Sequence, residues 1–360
     1  MRKSSSISTC SLPTLTAPLM PGHAAQCVPN LPMARPGTLT HACRRFWHWA
    51  PTLLSLACVA GVLIRFYIKD QVPIIAAYYY ATPPPILAAI ALSAGGWWLV
   101  RRRWTSAIST LLLSTACCVW WTQTAWYRHP TTAAPGNAPH ATRVMFWNTA
   151  KGALGWTNVA TEIRNQSPDI VGLVEAGHAT TQMAAFWATQ LDGYEFLVTD
   201  DGITLLAKGE ITPVARGPLA SRGTYLRCEV LIDGDHLPVV IADFRGEPFR
   251  SRRPPMEALE QVVAPLRGQP VLLMGDFNTP TDSVLLTPLR RDYRNAFETA
   301  GDGYAPTWPT IAPVLTIDQM WTGAGLETRR CTAGWSLASD HRWLLAEIAT
   351  VPQEPSPWSW

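Results

Sequence analysis

Three apolar runs close to the start of the chain constrain it most: Phe46 to Tyr67, a stretch within Val72 to Val100, and Trp104 to Trp126. Each approaches the roughly 20 residues that an α-helix needs to cross the hydrocarbon of a bilayer. Trp47, Trp49, Tyr78, Tyr79, Tyr80, Trp97, Trp98, Trp120, Trp121 and Trp126 gather at their ends, as interfacial anchors do. Pro83, Pro84 and Pro85 interrupt the middle run, so its span either begins after them or carries a kink. A cleaved leader would still leave two spans. Arg44 and Arg45 precede the first run, and Arg101, Arg102 and Arg103 separate the second from the third. The positive-inside rule puts both clusters, and the N-terminus, on the cytoplasmic side. Three crossings then deliver the rest of the chain to the opposite side. This reading gives a disordered tail over 1–45, rich in Ser, Thr, Pro and Ala, with Met20 or Met33 as alternative starts. A membrane region over 46–126, a linker over 127–141, a catalytic domain over 142–350 and a tail over 351–360 follow.

Charge divides the chain at the same place. Up to residue 140 there are eleven Lys and Arg against Asp70 alone; beyond it, eighteen face twenty-five Asp and Glu, a net of −7. The mild overall basicity therefore belongs to the membrane-proximal part and is no nucleic-acid footprint on the second half, whose only lysines are Lys151 and Lys208. Eight cysteines form no CxxC pair and no zinc spacing with His. Cys228 and Cys331 are the two in the second half, and the sequence leaves open whether they pair.

From Thr142 onward, short apolar runs alternate with helical patterns. Strands are expected at Arg143–Trp147, Ile170–Val174, Ile203–Ala207, Tyr225–Ile232, Pro238–Ala242, Val271–Met274 and Trp343–Ile348, and helices at Asn158–Asn165 and Pro255–Leu266. Several strands end in side chains able to bind metal or phosphate. VMFWN ends at Asn148, DIVGLVE at Glu175, and VLLMGDFN at Asp276 and Asn278; ID supplies Asp318 and SDH supplies Asp340 and His341. Taken singly, each has a bland explanation as a turn residue, a helix cap or a solvated side chain. Their succession, each behind a buried run, points to one site held on rigid strand ends.

With these residues, and with ThrTrpPro at Thr307–Pro309, the span 142–350 resembles the endonuclease/exonuclease/phosphatase superfamily, whose members include deoxyribonucleases and sphingomyelinases. With the apolar runs ahead of this span read as transmembrane helices, the chain is expected to be a membrane-anchored, bacterial-type member, and the resemblance implies an α/β (α+β) four-layer sandwich of two packed mixed β-sheets flanked by helices. It implies Mg²⁺ or Mn²⁺ as cofactor, with Glu175 as principal metal ligand and Asp340 as a second. It makes Asp276 the residue that orients or deprotonates water, gives Asn278 and Asn148 hydrogen bonds to phosphate or nucleophile, and puts His341 on the phosphate with Asp318 behind it. Hard oxygen ligands and a charged imidazole suit phosphoester hydrolysis, where charge develops on phosphate oxygens. The expected localisation is an integral membrane protein of a bacterial inner membrane, its catalytic domain facing the periplasm.

One position departs from the superfamily pattern. Many relatives carry a His on the strand before GDFN, where VVIADF supplies Asp243, and His236 lies only at that strand's beginning. Arg245, Arg250, Arg252 and Arg253 follow, and one of these guanidiniums is expected to bind phosphate in its place; a solvated basic loop is the alternative. Trp308 either shapes the mouth of the site or belongs to the core. The function expected is a divalent-metal-dependent phosphoester hydrolase that cleaves a phosphodiester by in-line attack of water, with a non-catalytic or weakly active membrane-anchored binding module as the alternative. Nucleic acid, a phospholipid headgroup or a phosphomonoester are the substrates it could take, and the lipid bilayer is its other partner. Nothing in the sequence points to a protein partner.

Overall fold

The computed structural model describes residues 36–129 and 141–351, with side chains from Phe46 onward. Most of the expected N-terminal tail, the centre of the linker and the C-terminal tail lie outside the described residues. The chain divides between His48 and Trp49 into two units. Of the first, the described part is the start of helix α1, and the second holds all the remaining elements.

Helix α1 (Pro36–Leu63) takes in the expected apolar run and, among the described residues, already extends ahead of Phe46. It runs on through a π-helical turn, Ile64–Ile68. Helices α2 (Pro73–Ala81), α3 (Pro84–Val100) and α4 (Trp104–Ala125) follow. Pro83, with extended backbone, ends α2's direction and Pro84 starts α3, so the two are bent by 72°. Phe46–Ile68 and Trp104–Ala125 are each long and apolar enough to cross a membrane, and α2 with α3 passes that test only as a bent pair. Cys58, Leu87, Ala91 and Cys117 pack where these helices meet.

The remainder is a four-layer sandwich of the expected class. Strands β1 (Trp126–Arg128), β2 (Thr142–Asn148), β3 (Ile170–Val174), β4 (Glu195–Val198), β5 (Thr204–Ala207), β6 (Glu210–Pro218) and β7 (Gly223–Ile232) come first in the chain. They are followed by β8 (Asp235–Phe244), β9 (Leu272–Asp276), β10 (Arg294–Asn295), β11 (Asp302–Tyr304), β12 (Asp318–Thr322), β13 (Leu326–Gly334) and β14 (Trp343–Thr350). One six-stranded sheet has the order β10-β12-β9-β8-β7-β6 and the other β13-β14-β2-β3-β5-β4. Both are mixed: β8 is parallel to β9 and β2 to β3, while the other pairs are antiparallel.

Strand alternation builds the layers. In β2, Val144 and Phe146 enter the core between the sheets, where Leu272 and Met274 of β9 meet them. Met145 and Trp147 point the other way, against Val159 and Ile163 of α5 (Trp156–Gln166) and Trp187 of α6 (Thr181–Gln190). On the far side, Leu273 packs on Met256, Leu259 and Val263 of α7 (Arg253–Val263). Strands buried on both faces read as unbroken apolar runs, which is why their period of two is hidden in the sequence. Gly172 allows the sheets to approach: a Cβ there would stand 2.7 Å from the sulfur of Met274.

Several elements differ from expectation. At the start of the expected linker, Trp126–Arg128 pairs with Asp302–Tyr304 and Tyr127 packs edge-on to Phe297. Strand β6 contains Pro213 at a bulge and is mostly exposed, features tolerated on a sheet edge. Polar β13 is likewise an edge strand. Cys228 and Cys331 are both buried, and both are free thiols rather than a disulfide.

Candidate active site

Sheet directions gather the polar strand ends at one edge of the sandwich. Parallel strands β2 and β3 release Asn148 and Glu175 side by side, and parallel β8 and β9 put Asp243 opposite Asp276. Strand β12 runs antiparallel to β9, so its first residue, Asp318, registers with the last of β9, Asp276. Strand β14 is antiparallel to β2, and His341 stands just before it. Side chains separated by up to 193 positions therefore converge. Glu175, Asp276, Asn278, Trp308, Asp340 and His341 all line one cleft of about 420 Å³.

Hydrogen bonds hold the floor of this cleft. Asn148 Nδ2 donates to Asp276 Oδ2 over 2.9 Å, and the backbone N–H of Asn278 donates to Asp276 Oδ1, also over 2.9 Å. Asn148 is itself steadied through Oδ1, which accepts from the Ala150 N–H at 3.0 Å. Asn278 Nδ2 donates to the carbonyl of Phe244 at 2.6 Å, tying GDFN to the end of β8. His341 Nδ1 lies 2.9 Å from Asp318 Oδ2. Ser339 Oγ orients the loop that carries His341, donating to the Asn148 carbonyl at 2.7 Å while accepting from the His341 N–H at 3.1 Å. Glu175 and Asn278 both hold left-handed backbone, with φ of 48° and 46°. Asn tolerates that region, whereas Glu rarely occupies it, so Glu175 is kept there by its surroundings.

The cleft is crowded with carboxylates. Burial, followed by the charge of Asp318, pushes Asp276 up to about 7, although His341 and two hydrogen bonds pull the other way. Burial and then the charges of Asp276 and Glu175 hold the Asp243 carboxyl well above the usual range. Burial alone would lower His341, but the charge and hydrogen bond of Asp318 outweigh it and raise the imidazole to about 10. Asp318 thus favours the charged imidazolium. Asp318 Oδ1 is buried without a hydrogen-bond partner. This excess of hard, negative oxygen fits a divalent cation such as Mg²⁺ or Mn²⁺. The ligand atoms of Asp276, Asp318 and His341 lie within 4.8 Å of one another, a set that could share an ion. Glu175 and Asp340, carboxylates that line the same cleft, offer further hard oxygen ligands.

The arginines sort themselves by burial. Arg245, Arg250 and Arg253 are exposed, and Arg250 Nε lies 3.7 Å from Glu247. Arg252 is buried and lines the cleft. Its guanidinium donates to the carbonyls of Glu247, Arg250 (2.7 Å) and Asn278 (3.4 Å), and burial lowers its pKa. Trp308 is half-buried and donates from Nε1 to Asp340 Oδ2 at 3.3 Å. His236, at the opposite end of β8, borders a different cavity. Sequence reasoning did not single out Arg252 from its neighbours, and it missed Ala77, Tyr80 and Ala81, which line the cleft from α2. Nothing in an apolar helix flags such a role.

Comparison with known proteins adds the following. A family model described as the Endonuclease/Exonuclease/phosphatase family matches residues 145–341. No curated protein matches the chain. An endonuclease/exonuclease/phosphatase from Bacteroides vulgatus is 17% identical with a TM-score of 0.48, the alignment covering 58% of this chain and 99% of that one. A mannosyl-6-phosphatase from Bacteroides thetaiotaomicron is 14% identical with a TM-score of 0.47, covering 58% and 99%. D. rerio TDP2, solved with a single-strand DNA product, is 12% identical with a TM-score of 0.47, covering 58% and 99%.

Proposed function

Because the chain belongs to the endonuclease/exonuclease/phosphatase family, we propose that it is a membrane-anchored, divalent-metal-dependent phosphoester hydrolase that cleaves by in-line attack of water. The observation that carries this reading is the convergence of Glu175, Asp276, Asp340 and His341 on one cleft. Glu175 and Asp340 would hold Mg²⁺ or Mn²⁺, which when bound would offset the negative charge of the phosphate. Asp276, held from both sides by Asn148 and Asn278, is the base that orients water and takes its proton; burial raises its carboxyl above the usual range, which makes it a stronger base. His341 donates from Nε2 to a phosphate oxygen while Nδ1 stays on Asp318, which keeps the ring charged. Arg252 adds a second fixed positive charge to the cleft wall.

Helices α1, α3 and α4 anchor the domain, with Arg101–Arg103 on the cytoplasmic side and the hydrolase on the other. The test uses the full chain in detergent with bis(p-nitrophenyl) phosphate and Mg²⁺ or Mn²⁺. Turnover is expected to vanish on chelation and to fall by about 10²–10⁴-fold in Asp276→Asn. Turnover that survives both overturns the reading.

A further inference from the structure

One wall of the cleft comes from outside the sandwich. Ala77, Tyr80 and Ala81 of α2 face the same space as Glu175, Asp276 and His341. Since α2 is bent by 72° from α3, it lies near the membrane plane if α3 runs along the membrane normal. The attachment is specific. Arg65 Nη1 lies 2.5 Å from Asp282 Oδ2, and Lys69 Nζ donates to the Asp282 carbonyl at 2.8 Å. Asp70 accepts from Tyr80 Oη at 3.0 Å, from Val284 N–H at 3.2 Å and from Ser283 Oγ. The guanidinium of Arg252 sits 5.0 Å over the Tyr80 ring. These contacts fasten the turn ahead of α2 to residues 282–284, just beyond GDFN, and Tyr80 ties α2 to that turn through Asp70.

Two further observations point the same way. Three loops that line the cleft carry large apolar side chains left in solvent: Phe249 beside Pro248, Ile311 beyond Trp308 and Leu337 ahead of Asp340, at 78%, 92% and 82% exposure. Apolar side chains held in solvent on several loops around one cleft suit contact with a membrane surface. A second cavity of about 350 Å³ shares Pro280 and Leu315 with the cleft and is walled by Phe66, Trp120 and Trp121 of the apolar helices.

We propose that the phosphoester cleaved is that of a membrane lipid, which enters along α2 with its phosphate in the cleft and its chains on the apolar side. This rests on the hydrolase reading above. The oxygen of water bonds to phosphorus, one P–O ester bond breaks, and the proton lost by the water ends on the departing alkoxide. A net-negative domain with two lysines is a poor collector of polyanionic nucleic acid, and a lipid held in the bilayer needs no such collection.

The experiment reconstitutes the full chain in vesicles of phosphatidylethanolamine, phosphatidylglycerol and phosphatidic acid with Mg²⁺ or Mn²⁺. Lipid turnover is compared with that of the deacylated counterparts, a single-stranded oligonucleotide and bis(p-nitrophenyl) phosphate. At least one lipid is expected to turn over more than tenfold faster than its deacylated form. Ala77→Trp, Ala81→Trp and the triple Phe249→Ser/Ile311→Ser/Leu337→Ser variant each lower that ratio. Hydrolysis of the soluble compounds without preference for the acylated ones overturns the lipid proposal and leaves the hydrolase standing. No turnover of any compound overturns both.

Discussion

His341 Nδ1 lies 2.9 Å from Asp318 Oδ2, and the other oxygen of Asp318 is buried without a partner. A carboxylate so placed serves the imidazole first, and the pair is expected to act as one unit. In a double-mutant cycle, His341→Gln and Asp318→Asn should each lower turnover strongly, and the double variant should be little worse than either alone. Fully multiplicative losses would show that the two act separately.

The same charges make stability depend on pH. Asp276 is raised from an ordinary value near 3.8 to about 7, so folding disfavours its ionisation. Its destabilising effect is absent below about pH 4, grows as pH rises through 7 and is constant above. In chelator, Asp276→Asn should therefore be more stable than the parent at pH 8 and lose that advantage near pH 4. Equal advantage at both pH values in thermal unfolding would contradict this sign. His341, raised to about 10, contributes stability that is complete below about pH 6.5 and lost as pH climbs through 10.

Metal requirement separates the two carboxylate sets. Glu175→Gln should raise the Mn²⁺ concentration for half-maximal turnover by more than the roughly 10–100-fold typical of a residue behind a ligand. Asp318→Asn should leave that concentration within a few-fold and act on turnover. The reverse pattern would assign the ion to Asp276, Asp318 and His341 instead.

Among the described arginines, Arg252 alone lines the cleft. Arg252→Lys preserves the charge but loses the forked donation to the Glu247 and Arg250 carbonyls. It should raise KM several-fold, with Arg245→Ala, Arg250→Ala and Arg253→Ala close to the parent. Unchanged KM in Arg252→Lys together with a raised KM in one of the exposed three would move phosphate binding to that residue.

Removing Arg65 should loosen the junction. Its side chain is buried and donates to the carbonyls of Thr82 at 2.8 Å and Tyr79 at 3.0 Å as well as pairing with Asp282. Arg65→Ala leaves these acceptors unsatisfied, at about 1–3 kcal/mol each when no water replaces the donor. A lowered unfolding temperature in detergent is the expected result; an unchanged one would mean that the junction carries little of the fold.

Sequence and structure agree best where the physics is local. The apolar runs behind Asn148, Glu175 and Asp276 are buried strands because short stretches of almost wholly apolar residues (VMFW, IVGLV and VLLM) are stabilised by burial on both faces. Edge strands β6 and β13 escaped notice because partly exposed strands carry polar residues, and in β6 a proline, that no pattern of alternation recovers. Asp243 was legible as a departure, but its position opposite Asp276 and within reach of the charge of Glu175 came from strand pairing.

What the chain determined by itself was the division into a run of apolar helices and a mixed α/β domain, together with the types of residue at the strand ends, since hydrophobic period and side-chain chemistry are written position by position. The tertiary structure decided which of those residues meet, which arginine enters the cleft, and that α2 closes one side of it. Those outcomes depend on register, sheet order and the angle between helices. They arise from packing between residues far apart in the chain, and no stretch of sequence holds them alone.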